Sequence, residues 1–405
     1  MILNPTSNKK SFTKKQLIAL ISGFVLMLLS GLVNGWSIFV EPIEQDLHLL
    51  RQDTALVFTI SLSVSIGGQM LAGFLNQKVQ SRFIYWLVAL FSFIGFLGSS
   101  ASNGLWGIYI CYGVFSGLAI GMIYNLVLTG VSALFSTGTS LVSGILLMGF
   151  GIGPLILGMG ASLLIERTGW RATFGILAAV YVILLFLASF LIPTRKSTDK
   201  TVAESTKDIS TAKMLHSHMY WWFFSLCAMM GSASLILIGH SSLIVRDMGI
   251  SFGAASVMTG VISVSCGISR VFFGRYVDLH GNNALKSILV FCTVLGSIVS
   301  LFGYMFNSLP LLCLGYIVTG AANGGSAVYI CAFVQERYGT AHYGMNMAFT
   351  NIYMIIGSFC GTALAGVIKT KTGSYGMALI IMTVFALLGI ICSMQITRCM
   401  KNRKA

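Results

Sequence analysis

The feature that most limits the fold is a succession of apolar segments, each long enough to cross a hydrocarbon core about 30 Å thick. They run over 16–40, 54–75, 83–103, 105–131, 140–165, 172–193, 219–245, 253–276, 285–306, 309–334, 345–368 and 375–397. Inside a bilayer no water can satisfy the backbone, so such segments must close their own hydrogen bonds as helices. The expected fold is therefore an all-α membrane protein of twelve transmembrane helices. Charged residues make up only 9% of the 405-residue chain, against about 25% in soluble domains. The surplus of base, a formal +14, does not point to nucleic acid, because no basic stripe interleaved with aromatics accompanies it. Basic residues gather in the cytoplasmic loops of membrane proteins.

With the N-terminus inside, eighteen Lys and Arg, Lys286 among them, fall in the inner segments and six in the outer loops. That ratio fits cytoplasmic N- and C-termini in a multi-pass membrane protein. Lys9, Lys10, Lys14 and Lys15 precede a first apolar run too long for a signal-peptide core, so the run is kept as a span. The nine cysteines show no CxxC spacing, so neither a disulfide framework nor a zinc site is expected.

The long polar stretch near the middle divides the chain into 1–193, a six-helix bundle; 194–218, a central cytoplasmic loop; and 219–405, a second six-helix bundle. The halves echo each other. Gly117 and Gly121 answer Gly320 and Gly324, each offset by 203, and Gly169-Trp170 answers Gly373-Ser374-Tyr375. Gly73 and Arg82 bracket a basic turn whose counterpart, Gly274-Arg275 through Asp278, begins 201 residues later. A duplicated unit places a substrate between its copies near the midplane.

The twenty-fifth basic residue is Arg270, inside the eighth span. Its charge costs roughly 2.5–3.5 kcal/mol against insertion, and on a helix it shares a face with Cys266, Gly267, Ser263 and Gly260. Two readings satisfy it: a guanidinium snorkelling to inner headgroups about 9 Å away, or one held inward for a ligand. All eleven Asp and Glu lie in loops or at span ends, which leaves a substrate anion as an available counter-charge.

Twelve spans in two halves, the central loop and the Gly274-x-x-x-Asp278 turn resemble the major facilitator superfamily, whose first-half aspartate is here Gln77. Asn34 to Phe39, Tyr112 to Tyr124, Ser143 to Gly153 and Gly267 to Gly274 resemble, within it, the oxalate/formate antiporter family. That resemblance implies two pseudo-symmetric bundles and exchange or uptake of small carboxylates, with Arg270 holding the carboxylate and aromatics caging it. Tyr124 matches a cage position, and Tyr329 is the nearest candidate in the tenth span. Dicarboxylate-specific members carry a lysine in the eleventh span; 345–368 has no Lys or Arg and offers Asn351 and Tyr353. One cation suits a monoanion such as formate, lactate or pyruvate better than oxalate.

Asn34, Trp36, Gln69, Tyr124, Asn125, Asn323, Tyr329, Asn351 and Tyr353 form the expected neutral lining. His240 is the one candidate proton relay within a span, or a hydrogen-bonded packing residue. With no intramembrane Asp or Glu, anion exchange is preferred over proton symport. Gly73, Arg82, Gly274, Arg275 and Asp278 are expected to gate. Gly149, Gly153 and Pro154 resemble an antiporter signature, while small residues every fourth position also serve close helix packing. No Walker loop, HExxH or Ser-His-Asp set occurs, so no enzyme, cofactor or metal is expected. The expected partners are a small organic anion and the lipid bilayer, for a monomeric carrier. A carrier of larger amphipathic anions is the second transport reading; a membrane sensor would need an output domain longer than the central loop.

Overall fold

The computed structural model describes residues 13–49, 51–135, 137–192, 208–250 and 252–401. Most of the central loop, and the side chain of Asn34, lie outside the described residues.

Helix α1, Lys14–Gly31, opens on a capping box in which Thr13 and Gln16 satisfy each other's amides. It continues through a 3-10 turn, Leu32–Gly35, into Ser37–Leu47, seven residues beyond the end of the expected span. Then come α2, Arg51–Lys78, α3, Ser81–Ser100, and α4, Leu105–Ser132. Thr139–Leu191 is 53 residues long and turns back at Gly169, whose φ of 79° L side chains rarely adopt. Its arms, 139–168 and 170–191, are α5 and α6. The second six are α7, His218–Asp247; α8, Phe252–His280; α9, Asn282–Met305; α10, Leu309–Tyr338; α11, Tyr343–Thr372; and α12, Gly376–Lys401. Among the described residues eleven helices are long and apolar enough to span; because one turns back at Gly169, they make the twelve crossings expected. Among the described residues there is no strand.

Twelve crossings put the start of α1, the end of α6, the start of α7 and the end of α12 at one end of the molecule, called here the linker end. At the far end each half is stapled to itself by an aspartate, and the two staples correspond. Asp46, following α1, accepts from Trp170 Nε1 at 3.3 Å and pairs with Arg171 at 3.0 Å. Asp247, ending α7, pairs with Lys369 and accepts from Tyr304 Oη at 2.6 Å and the Tyr375 amide at 3.2 Å. Both staples grip the glycine turn behind a long helix, at Gly169 and at Gly373 (φ 72°). Aromatic packing fills each half. Phe39 stacks on Phe174 and Phe96 on Tyr181 in the first, and Phe223 on Phe333 in the second.

Lys286, which the charge count treats as an ordinary inner cation, is 2% exposed. Its ammonium donates to the Ser393 carbonyl at 3.1 Å and Thr397 Oγ1 at 2.6 Å, tying α9 to α12. Its position one turn into α9 gives no sequence signal of burial.

Candidate functional site

The two halves meet in two antiparallel seams. In the first, α5 meets α8 through glycines spaced seven apart on each helix: Gly144 and Gly151 on α5, Gly267 and Gly274 on α8. Residues seven apart share a face. A Cβ at Gly144 would stand 2.3 Å from the Arg270 carbonyl oxygen, and one at Gly274 2.6 Å from that of Ser140. Neither position tolerates a side chain without backbone movement. At the linker end of this seam, Asp278 accepts from the amides of Ser140 at 3.2 Å and Leu141 at 2.9 Å. It thus caps the first turn of α5 from the opposite half, as a carboxylate at a helix N-terminus should.

In the second seam, α2 and α4 meet α11. Gly73 admits the Gly344–Met345 peptide, which a Cβ would approach to 2.9 Å. Asn125 Nδ2 donates to the Gly344 carbonyl at 2.7 Å, and Asn351 Nδ2 to Gln69 Oε1 at 2.6 Å. Gln69, Asn125 and Asn351, expected to line a cavity, are here engaged in bonds between the halves. Asp208 and the residues that follow it dock beside this seam. Asp208 Oδ1 accepts from the amides of Thr340 and Ala341, and Gly339 (φ 79°) leaves it room.

Arg270 lies in the first seam, 9% exposed. Its Nη1 donates to the Leu147 carbonyl of α5, and Nη2 contacts Cys266 Sγ at 3.7 Å. Cys266 also receives Asn323 Nδ2 at 3.5 Å, linking α10 into the cluster. The buried Nε has no hydrogen-bond partner among the described residues, and no carboxylate is among Arg270's described partners. Tyr124 and Tyr353 both lie near enough to feel the arginine's charge. Tyr124 rests edge-on against Phe150, ring centroids 5.4 Å apart, and the Tyr353 ring covers Gly231 of α7. The chemistry available is that of one guanidinium, planar and two-pronged, among neutral groups.

Other expected residues belong to different neighbourhoods. Trp36 donates through Nε1 to the Thr54 carbonyl at 2.9 Å and packs on Tyr112. Tyr329, 2% exposed, packs against both rings of the Phe223–Phe333 stack. His240 stands at a break in α7 (φ −121°, ψ 16°), its Nε2 2.9 Å from the Thr362 carbonyl and its Nδ1 3.2 Å from Tyr375 Oη. Thr362 belongs to a π-helical turn of α11, Ser358–Ala363, so two irregular segments meet there. Gly149 and Gly153 face α1, where Cβ atoms would stand 2.9 Å from the Phe24 carbonyl oxygen and 2.4 Å from that of Leu28. Pro154 stands within α5, beside Gly35. Arg82 contacts the Ser189 carbonyl and the Phe190 ring, and Arg275 is exposed.

Sequence reasoning placed Cys266 on the face of Arg270 but missed the carbonyl that holds the guanidinium. Leu147 acts through its backbone, which carries no residue-type signal; the seven-residue spacing of Gly144 and Gly151 was the available clue.

Comparison with known proteins agrees with this architecture. Residues 19–238 and 221–398 match the model of the Major Facilitator Superfamily. The oxalate:formate antiporter of Oxalobacter formigenes is 21% identical over 86% of this chain and 84% of its own length. Monocarboxylate transporter 13 of Rattus norvegicus is 20% identical over 88% and 83%. Among solved structures, FucP in its outward conformation superposes with a TM-score of 0.70 at 13% identity, covering 95% of this chain and 99% of FucP. The proton:xylose symporter XylE gives 0.68 at 14%, covering 95% and 94%.

Proposed function

Because the chain belongs to the major facilitator superfamily, we propose that this multi-pass membrane transporter is a secondary carrier of small monocarboxylates such as formate, lactate or pyruvate. It works by anion exchange through alternating access of the halves 1–193 and 219–405 about the loop 194–218. The observation that carries this reading is Arg270, buried in the seam between the halves with a backbone carbonyl and a thiol for partners. Arginine cannot be deprotonated, so the ligand that suits this site brings the negative charge. The oxalate:formate antiporter and the monocarboxylate transporters among the relatives support an anionic substrate.

Arg270 binds the carboxylate, with Tyr124, Tyr353 and Asn323 as its nearest polar surroundings. Gln69, Asn125 and Asn351, with Gly73, Gly274 and Asp278, close the linker end between the halves. Every described hydrogen bond between the halves joins the α5–α8 or the α2/α4–α11 seam, with Arg270 the outermost of them on α8. The two aspartate staples at the far end each lie within one half, which suits an outward-facing carrier whose linker end is cytoplasmic. Trp36, Tyr329, Gly149, Gly153 and Pro154 support the site by packing. The carrier acts as a monomer in the inner cell membrane.

The test is uptake of radiolabelled formate, lactate, pyruvate and oxalate into proteoliposomes preloaded with each in turn. Preloading should accelerate entry of a monocarboxylate, and Arg270→Gln should weaken its binding about ten- to hundred-fold through loss of charge-assisted bonds. Failure of all four anions to move under any preload would end the small-carboxylate reading.

A further inference from the structure

Arg270 belongs to the second half, yet its guanidinium lies on a helix of the first. At that point α5 lacks a side chain: a Cβ at Gly151 would stand 2.4 Å from Nη1 and 3.0 Å from Cζ of Arg270. Gly151 is one helical turn beyond Leu147, whose carbonyl takes Nη1. The carbonyl and the gap together form a seat shaped for the guanidinium plane. The seat satisfies it incompletely. Of five N–H donors, one on Nη1 meets a carbonyl, Nη2 touches sulfur at 3.7 Å, and Nε is buried without a partner among the described residues. A carboxylate, which can accept two parallel bonds from the same fork, is the stronger acceptor.

We propose that Leu147 and Gly151 are the resting seat of Arg270 in the empty carrier, and that the substrate carboxylate competes with this seat for the guanidinium. Gly151 is then a positioning residue of the transport site. The inference rests on Arg270 being the anion binder and adds what the side chain does between substrates. Seated, Arg270 pins α8 to α5 and holds the linker end closed. An arriving anion draws the fork away, and the pin between the halves is lost at the moment the site is filled. Loading and reorientation are coupled through one side chain, which makes exchange faster than return of the empty carrier.

The experiment reads the linker end directly. Spin-labelled noncanonical residues replace Val79 of the first half and Leu279 of the second, both exposed, so that all nine cysteines stay in place. Distances are measured in carboxylate-free buffer for the native protein, Gly151→Ala, Arg270→Gln and Gly160→Ala, the last a glycine whose Cβ would meet nothing within 4 Å. Gly151→Ala and Arg270→Gln should each raise the long-distance, linker-end-open population at least about threefold, and Gly160→Ala should leave it at the native value. Identical distributions in all four proteins overturn the proposal. If Gly151→Ala does not purify as a monodisperse species, Arg270→Gln against Gly160→Ala decides it alone. Formate and lactate are then added to the native protein, where an anion that unseats Arg270 produces the same shift. Should the variants open while neither anion acts, the seat stands and the small-monocarboxylate reading falls.

Discussion

The seam between α5 and α8 and the seam between α2 and α11 stand at the same end of the molecule and do the same mechanical work with different chemistry. The first is held by charge: Asp278 caps α5 from the opposite half, and Arg270 lies across the helices. The second is held by neutral amides, Asn351 on Gln69 and Asn125 on the Gly344 carbonyl. The difference begins in the last turn of α2, where Gln77 occupies the place that Asp278 has in the last turn of α8 in the repeated pattern. Gln77 is exposed, and the amides just ahead of α11 are met instead by Asp208 of the central loop. The two seams correspond in the repeated pattern, and among the described residues it is the α5–α8 seam that carries a cap across the halves. A seam held by charge responds to ligands and ions, whereas one held by buried amides responds mainly to geometry.

The largest effect that would break this comparison is steric. Gly144→Val drives a branched side chain into the backbone at Arg270, opposing closure by about 3 kcal/mol. The 79–279 distance should lengthen to the open value, with exchange lost. Next is the amide pair. Gln69→Leu leaves Asn351 buried, 3% exposed, without its acceptor, at a cost of about 1–3 kcal/mol. Adding Asn351→Leu should recover most of it, so a double-mutant cycle in melting temperature should be strongly non-additive. Smallest are the two caps. Asp278→Asn should cost about 1 kcal/mol of linker-end closure, and Asp208→Asn, on exposed amides, about 0.5 kcal/mol. The Asp278 effect should shift the populations between the halves; the Asp208 effect should appear only as faster hydrogen exchange at the start of α11. Equal population shifts from both would mean that the loop aspartate does for the second seam what Asp278 does for the first.

Much of this was legible in the sequence because a bilayer allows few answers. Apolar length forced the helices, and the cost of burying Arg270 marked the place where the halves meet. Tyr329 and Trp36 were harder to place, since a helix apolar on every side does not say which aromatic faces a cavity; both pack within their own halves. Leu147 was illegible because a carbonyl has no side-chain signature. Asp208 was illegible because the docking of a loop is decided by tertiary geometry at Gly339, not by local pattern. Gly149 and Gly153 could be read either as a signature or as packing, and their contacts are with α1.

The single cation in the α5–α8 seam also has an electrical meaning. A carrier that moves Arg270 through the membrane field unaccompanied displaces positive charge, against or along roughly 2.3 kcal/mol per charge per 100 mV. With a monoanion seated on the guanidinium the moving unit is neutral, so the loaded half-cycles of an exchange are blind to voltage. Any current the protein carries would then come from its empty turns alone.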